Sequence, residues 1–552
     1  MRKYIGLFVL SIFMLFLLFT FEKQTIEKGT KEDALQEQGP YEVKHELFYA
    51  MVQKDGNPFV IEAWEEKENH YVLFLPFCFQ DEEELRVYTS EDIEVENAEA
   101  LEGNSIIMNK ESVEFRREGV PGELRVMFSS DIPVLWINTA NEDLEKINGS
   151  KEHEEKVTVN IWNQGSGAEI SEGKMHARGN VSFDLAPKKS YLLEMDEDTD
   201  FFGMGEARKW VLTSNYFDQT LLRNYFTVQL AQKMGMSFVP EACFADLYVD
   251  GHYIGNYLIG EKVEVGRQRV NIRDLETENI NKNGFELLKR YPFYDDDQKG
   301  FKAKSPKDIT GGYLVEFELE ERWPEENSGF ITEDGQPVII QSPKHATVDE
   351  VRYIAGLFQK LENTILDEKD SDGYLDYIDL DSFANKYLLE ELCKNIDANK
   401  TSQFFYKYDD SISSKIFAGP IWDYDKAWGN GGKLDEGLDL REPEGFYVKK
   451  HVYPHSIWTN LYQKDSFRNC VAKKYCTEVL PIMNELAEQE LDKWKEKYKA
   501  SFMMDWTRWN HEREEEKNNT EQRYRNSYEE AFEEMKDFAI KRADFLLSEW
   551  NY

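Results

Sequence analysis

Basic side chains are scarce relative to acidic ones: 66 Lys and Arg stand against 106 Asp and Glu in 552 residues, a formal net charge of -40. Such a charge repels nucleic acid phosphates and anionic headgroups, which argues against nucleic acid as a partner. A basic partner would be attracted. Cysteine is also thin. The five, at 78, 243, 393, 470 and 476, form no C-x-x-C pair and no zinc-like spacing, which argues against a disulfide framework. Cys470 and Cys476, six apart, suit one packed helix face better than a local disulfide. There is no internal repeat and no long low-complexity tract. Missing too are G-x-x-x-x-G-K-[ST], H-E-x-x-H, G-x-S-x-G and a strand-borne G-x-G-x-x-G, so most common enzyme classes lose sequence support. Gly203-Met-Gly205-Glu-Ala-Arg208 begins like a dinucleotide motif but carries Arg at the third glycine position, and reads as a turn.

What is present can build large cores: 41% of residues are hydrophobic and 14% aromatic. Met1-Arg2-Lys3 is followed by an uncharged stretch from Ile5 to Phe21, which reads as a signal peptide or a membrane anchor over 1–22. Its length of about 25 Å falls just short of a bilayer core of about 30 Å. No small-x-small cleavage site follows, which favours an uncleaved anchor and an extracytoplasmic chain, membrane-anchored or secreted at the cell surface. Residues 23–39, rich in Glu, Gln and Lys, read as a flexible tether.

Short strand-like runs such as Asn69 to Leu75 and Gly122 to Ser129, separated by turn residues, point to a small all-β, sandwich-like domain over 40–133. From Val134 the pattern turns α+β. Val157 to Trp162 reads as strand, Gln219 to Met234 as a helix with Leu222, Phe226 and Leu230 on one face, and Asp250-Gly251 as a hairpin turn. A helix from Asp381, taken as its N-cap, to Lys394 delivers the chain into Asn395-Ile-Asp397. From His455 to Tyr552 the sequence reads as helical, with Tyr524, Tyr528, Phe532, Met535, Ala539, Leu546 and Trp550 as a core stripe. Domain limits are placed at 134–480, with C-terminal helices over 481–552 packed on that domain.

The chemistry-bearing stretch is Gly419-Pro-Ile-Trp422-Asp423-Tyr424-Asp425, after the strand-like runs Gln403 to Tyr408 and Lys415 to Ala418. Carboxylates at i and i+2 of an extended segment project to one side, which suits a hard cation such as Mg²⁺. Asp397 lies 26 residues upstream at a helix end. This is the order used in kinase-type phosphoryl transfer, where an earlier Asp orients the acceptor hydroxyl and a later one holds the metal.

Ordered stretches extend the pattern: His176-Ala-Arg178-Gly179-Asn180-Val-Ser182; Lys188-Lys189-Ser190-Tyr191; Trp210-Val-Leu with Asp218 and Leu222-Arg223-Asn224; Tyr248 to Tyr257 with Glu261; Gly311-Gly312-Tyr313-Leu-Val-Glu316; Asn395-Ile-Asp397 to Ser402; and the Trp-Asp-Tyr-Asp motif. In these, residues 134–480 resemble the CotH kinase family of spore-coat kinases and their secreted relatives. The resemblance implies an atypical protein-kinase-like fold, preceded here by the small all-β domain and the apolar anchor and followed by a helical C-terminal part. It also implies ATP and Mg²⁺ as cofactors and Ser or Thr of a surface or coat protein as acceptor.

On that resemblance Asp397 is the catalytic-loop carboxylate, Asp423 the metal ligand and Asp425 a second one. Arg178, Asn180 and Ser182 cover phosphates from a Gly-containing turn. Lys189, preferred over Lys188, pairs the phosphates, Glu261 pairs with Lys189, and Arg223 meets a phosphate or a carboxylate. The sequence departs from the general kinase loop in having Ser402 where a metal-binding Asn stands five residues after the Asp, and no His-Arg pair before it. The alternative is a catalytically inactive surface adhesion or scaffold protein with the same fold. Glycoside hydrolysis, a third class, has no positioned acid and nucleophile in the spacing.

Overall fold

Alternating burial begins at Phe48, where Phe48, Ala50 and Val52 turn inward from the strand Phe48–Lys54. The computed structural model describes residues 47–550 except 55, 81–84, 91, 96–98, 102–103, 109–110, 163–168, 291–302, 324–325, 435–437, 451–456 and 517–523. The expected anchor over 1–22 and tether over 23–39 lie outside the described residues. No helix among the described residues is long and apolar enough to cross a membrane.

The first strand belongs to a five-stranded sheet ordered Asn57–Glu62, Phe48–Lys54, Leu85–Thr89, Ser105–Met108, Glu99–Leu101. A second is ordered Trp64–Lys67, His70–Leu75, Val120–Phe128, Ser112–Arg117, Ile93–Val95. Phe48 meets Tyr71 and Phe115 across the gap, with ring centroids 5.3 and 4.9 Å apart, so the two inner faces bury each other as in a sandwich.

Seven strands then close into a barrel in the order Val134–Thr139, Glu155–Trp162, Glu169–Arg178, Ser190–Asp200, Glu206–Thr213, His252–Glu261, Ala242–Val249. Parallel pairing of Val134 to Ile137 with Asp246 to Val249 makes the closure. Ile137, Val159, Met175, Leu193, Trp210, Leu247 and Ile259 fill the interior. The hairpin at Asp250-Gly251 forms as the sequence predicts, with both residues at positive φ as its turn type requires. A side chain on Gly251 would strike the Val60 carbonyl of the sandwich at 2.8 Å. Phe59 packs edge-on to Trp136, which in turn stacks between Trp162 and Tyr248.

A third, antiparallel sheet is ordered Gly329–Ile331, Pro337–Ser342, Tyr313–Phe317, Gln403–Lys407, Ile416–Ala418. Helices Val348–Leu366 and Leu380–Cys393 cover it, with Phe358 and Phe383 packed on Phe405. Both predicted helix starts move. The first helix runs Arg223–Lys233 because the Asp218 carboxylate accepts from the amides of Thr220 and Arg223 and turns the preceding residues into a capping loop. The second is capped by Asp379, which accepts from Ser382 at 2.9 Å, while Asp381 lies in the first turn and pairs with Lys474.

Asp465–Glu516 is one helical run with two single-turn π-bulges, Tyr475–Val479 and Leu486–Glu490, and passes residue 480 without a break. The last helix, Tyr528–Glu549, buries Tyr528, Phe532, Met535, Ala539 and Leu546 of the predicted stripe, and Trp550 is buried just beyond it, whereas Tyr524 lies before the helix and is half-buried. All five cysteines are free thiols. The fold is mixed α+β.

Candidate active site

A cleft of about 800 Å³ opens between one end of the barrel and the third sheet with its loops. From the barrel side come Arg178, Asn180, Ser182, Glu261 and Lys262. The other wall supplies Glu316, Glu318, Arg322, Asp397, Lys400, Asp423, Asp425 and Lys426.

Arg178 ends its strand, and Gly179 follows at φ 105, where a side chain would collide with the Ser182 hydroxyl. Asn180 caps the short turn Val181–Leu185, its carbonyl accepting from Asp184. The Arg178 guanidinium lies over the Trp422 ring, 5.3 Å from its centroid, so the barrel reaches directly onto the acidic motif.

Lys394, at φ 47, ends the helix Leu380–Cys393 in the left-handed conformation, and Asp397 sits in the loop beyond it, its amide bonded to the Asn395 side chain at 3.2 Å. Asp423 also has a left-handed backbone, φ 67, and this kink aims it into the cleft while Tyr424 turns into the core. Three polar side chains pin the motif. Asn224 accepts from the Tyr424 amide at 2.7 Å, Asn430 donates to the Asp425 carbonyl at 2.7 Å, and Asn395 donates to the Asp423 carbonyl at 3.4 Å.

Electrostatics set these carboxylates apart. Burial, with the charge of Asp423 second, pushes Asp397 up to about 7 and Asp425 up to about 8. Asp423 is also raised by burial, against the pull of Arg178, Lys426 and Arg322. Mutual repulsion of this kind is relieved by a cation. Burial and the neighbouring Glu318 likewise push Glu316 up to about 8, although Gln341 donates to it at 2.8 Å.

A family model described as CotH kinase protein matches residues 175–546, most of the chain. The chain belongs to the CotH kinase family. No curated protein matches it by sequence. In this CotH chain the cleft gathers Arg178, Asn180, Ser182, Glu261, Asp397, Asp423 and Asp425. It leaves out Lys189 and Arg223.

Two of the predicted partnerships, those of Lys189 and Glu261, are replaced, while Arg223 meets a carboxylate, one of its two expected partners. Lys189 donates to the Phe183 carbonyl at 2.6 Å and braces the Val181–Leu185 turn from behind. Lys188 points the other way into the interior, where it pairs with Asp505 and donates to the carbonyls of Ser214 and Asn256. Glu261 pairs with Arg269 and accepts from the Glu241 amide; burial still pushes it up to about 7. Arg223 is held by Asp218 and donates to the carbonyls of Ala427 and Trp428, which ties down the chain after the motif.

The lysine reading missed Lys262, next to Glu261 on the cleft wall. Burial lowers its ammonium pKa, Glu264 opposes this, and Lys209, Arg178 and Lys344 deepen it. Glu316 was legible as a motif residue without a role. Among the described residues no three carboxylate, imidazole or thiolate groups converge as a metal cage. Magnesium bound with nucleotide takes one or two protein carboxylates and completes its shell with phosphate oxygens and water, a donor set that Asp423 and Asp425 fit.

Proposed function

We propose that this CotH-family chain transfers phosphate from ATP to Ser or Thr of a surface or coat protein, with Mg²⁺ as cofactor. The observation that supports this reading is the convergence of Asp397, Asp423 and Asp425 on one cleft, facing Arg178. Asp423, with Asp425 beside it, would hold Mg²⁺, which supplies charge neutralisation between nucleotide phosphates. Asp397, pushed up to about 7, is suited to accept the proton of an acceptor hydroxyl near neutral pH. Arg178 and Lys262 offer positive charge to phosphate oxygens, and the Gly179 turn brings Asn180 and Ser182 to the same cleft. A basic acceptor suits the net charge of -40. The apolar N-terminus supports an extracytoplasmic, membrane-anchored or secreted location.

Purified protein is expected to label itself or a Ser-rich basic protein from γ-labelled ATP with Mg²⁺. An Asp423→Asn variant that labels equally well sinks the assignment. A second reading, a non-catalytic surface binding module, is favoured by the engagement of both Lys188 and Lys189 away from the cleft. It predicts no nucleotide-dependent thermal shift, whereas a nucleotide at 100 times its dissociation constant stabilises a binder by about 2.7 kcal/mol.

A further inference from the structure

Beneath the acidic motif lies a charged network that the proposed chemistry does not itself use. Lys386 and Glu390, one turn apart on the helix Leu380–Cys393, form an ion pair of 2.7 Å in which both side chains have 0% exposure. Tyr424, the residue between Asp423 and Asp425, donates its hydroxyl to Glu390 Oε1 at 2.6 Å and accepts from Lys386 Nζ at 3.0 Å. Gln403 Nε2 reaches the same Oε1 at 3.5 Å, while Glu390 Oε2 has no hydrogen-bond partner. Three donors thus converge on one oxygen, which fixes the tyrosine hydroxyl to a single point.

A buried ion pair is commonly no more stable than the apolar residues that would fill its volume. Phenylalanine would fill the space of the Tyr424 ring equally well. What the hydroxyl adds is a register for the ring. Because Tyr424 is bonded in chain to both carboxylate residues, and its amide is held by Asn224, a shift of its ring moves both carboxylates. The left-handed backbone at Asp423 needs such an anchor, since that conformation is disfavoured for a residue with a side chain.

We infer that Tyr424, Glu390 and Lys386 act as positioning residues that set Asp423 and Asp425 at the spacing a divalent or trivalent cation needs. The inference rests on the metal role proposed above for the two aspartates.

Terbium binding to the full-length protein tests this without any activity assay. Tb³⁺ accepts carboxylate oxygens, and Trp422, adjacent in sequence to Asp423, is placed to sensitise its luminescence. The wild type is expected to give a saturable signal that Asp423→Asn abolishes. Tyr424→Phe, which removes one oxygen, is expected to weaken Tb³⁺ binding about tenfold, the usual cost of losing a group that orients a metal ligand, with a fall in thermal midpoint no larger than one lost charge-assisted hydrogen bond produces. The double change Lys386→Met with Glu390→Gln, which removes the ion pair without leaving either charge buried alone, is expected to weaken it in the same direction and serves if Tyr424→Phe does not fold. Wild-type affinity in a folded Tyr424→Phe or double variant overturns the inference, as does a loss that merely tracks the fall in thermal midpoint. Absence of any Asp423-dependent signal in the wild type overturns the metal role instead.

Discussion

The Arg178 guanidinium rests over the indole of Trp422 at 5.3 Å, which joins the last residue of a barrel strand to the residue before Asp423. A cation over an indole face contributes about 0.5 to 2 kcal/mol. Trp422→Leu is therefore expected to weaken nucleotide binding by roughly two- to thirtyfold at constant Mg²⁺, and Trp422→Tyr to retain most of it. Titration calorimetry of the variants against ADP checks this; equal affinity in Trp422→Leu would show that the stack does not hold Arg178 for the ligand.

Lys188 and Lys189 are adjacent and have different fates, and mutation should separate them. Lys188→Met leaves the Asp505 carboxylate buried without its ion-pair partner, a change that costs about 3 to 5 kcal/mol. Replacing both Lys188 by Met and Asp505 by Leu should restore much of that loss. Lys189→Met, at a partly exposed side chain, should change stability by about 1 kcal/mol or less. Urea unfolding of the three proteins reads the difference directly.

Lys262 is the cleft lysine on the barrel side, so Lys262→Met is expected to lower nucleotide affinity at least tenfold, the order of a lost charge-assisted hydrogen bond of about 1.5 to 3 kcal/mol. Lys189→Met, which only loosens the brace on the Val181–Leu185 turn, should lower affinity less. The pair of calorimetric titrations distinguishes them, and the reverse outcome would return the phosphate role to Lys189.

Asp246 lies behind the barrel, where Asn256 and Ser501 donate to it at 3.1 and 2.8 Å. Burial pushes it up to about 6 from its ordinary 3.8. A carboxyl whose pKa is higher in the folded state favours folding below its unfolded pKa and loses that contribution as pH rises through the folded value. Between pH 4 and 6.5 the fold should therefore lose about 3 kcal/mol through this group. Asp246→Asn cannot ionise, and the hydroxyls of Ser501 and Tyr253 can turn to meet an amide. Its stability relative to wild type is expected to improve by about that amount across the window. Denaturant melts at several pH values would show no such divergence if Asp246 stayed ionised throughout.

Local signals account for much of what was legible. Asp250-Gly251 announces its hairpin because two left-handed residues in a row are demanded by the turn and supplied by those two residues. The Tyr528 to Trp550 stripe follows from helical spacing. Asp397 and Asp423 could be expected together because their order follows the kinase-type pattern, and both line one cleft. The choice between Lys188 and Lys189, both in the turn before the strand Ser190–Asp200, was not legible, since alternation would send neighbours to opposite faces without saying which face meets a cleft. That depends on Asp505, which lies far away in sequence. The parallel closure of the barrel and the cap at Asp379 were hidden for a similar reason: each is decided by competition between nearby alternatives that only packing resolves.

The contact between Lys188 and Asp505 also has a meaning in time. The two residues are 317 positions apart, so on a ribosome adding about 5 to 20 residues per second the barrel strand emerges roughly 16 to 60 s before the helix that neutralises its lysine. During that interval Lys188 has the carbonyls of Ser214 and Asn256 as acceptors but not yet the Asp505 carboxylate. A chain truncated before residue 505 is thus expected to hold a less stable barrel, so that protease resistance of the barrel reaches its full value only when synthesis is nearly complete.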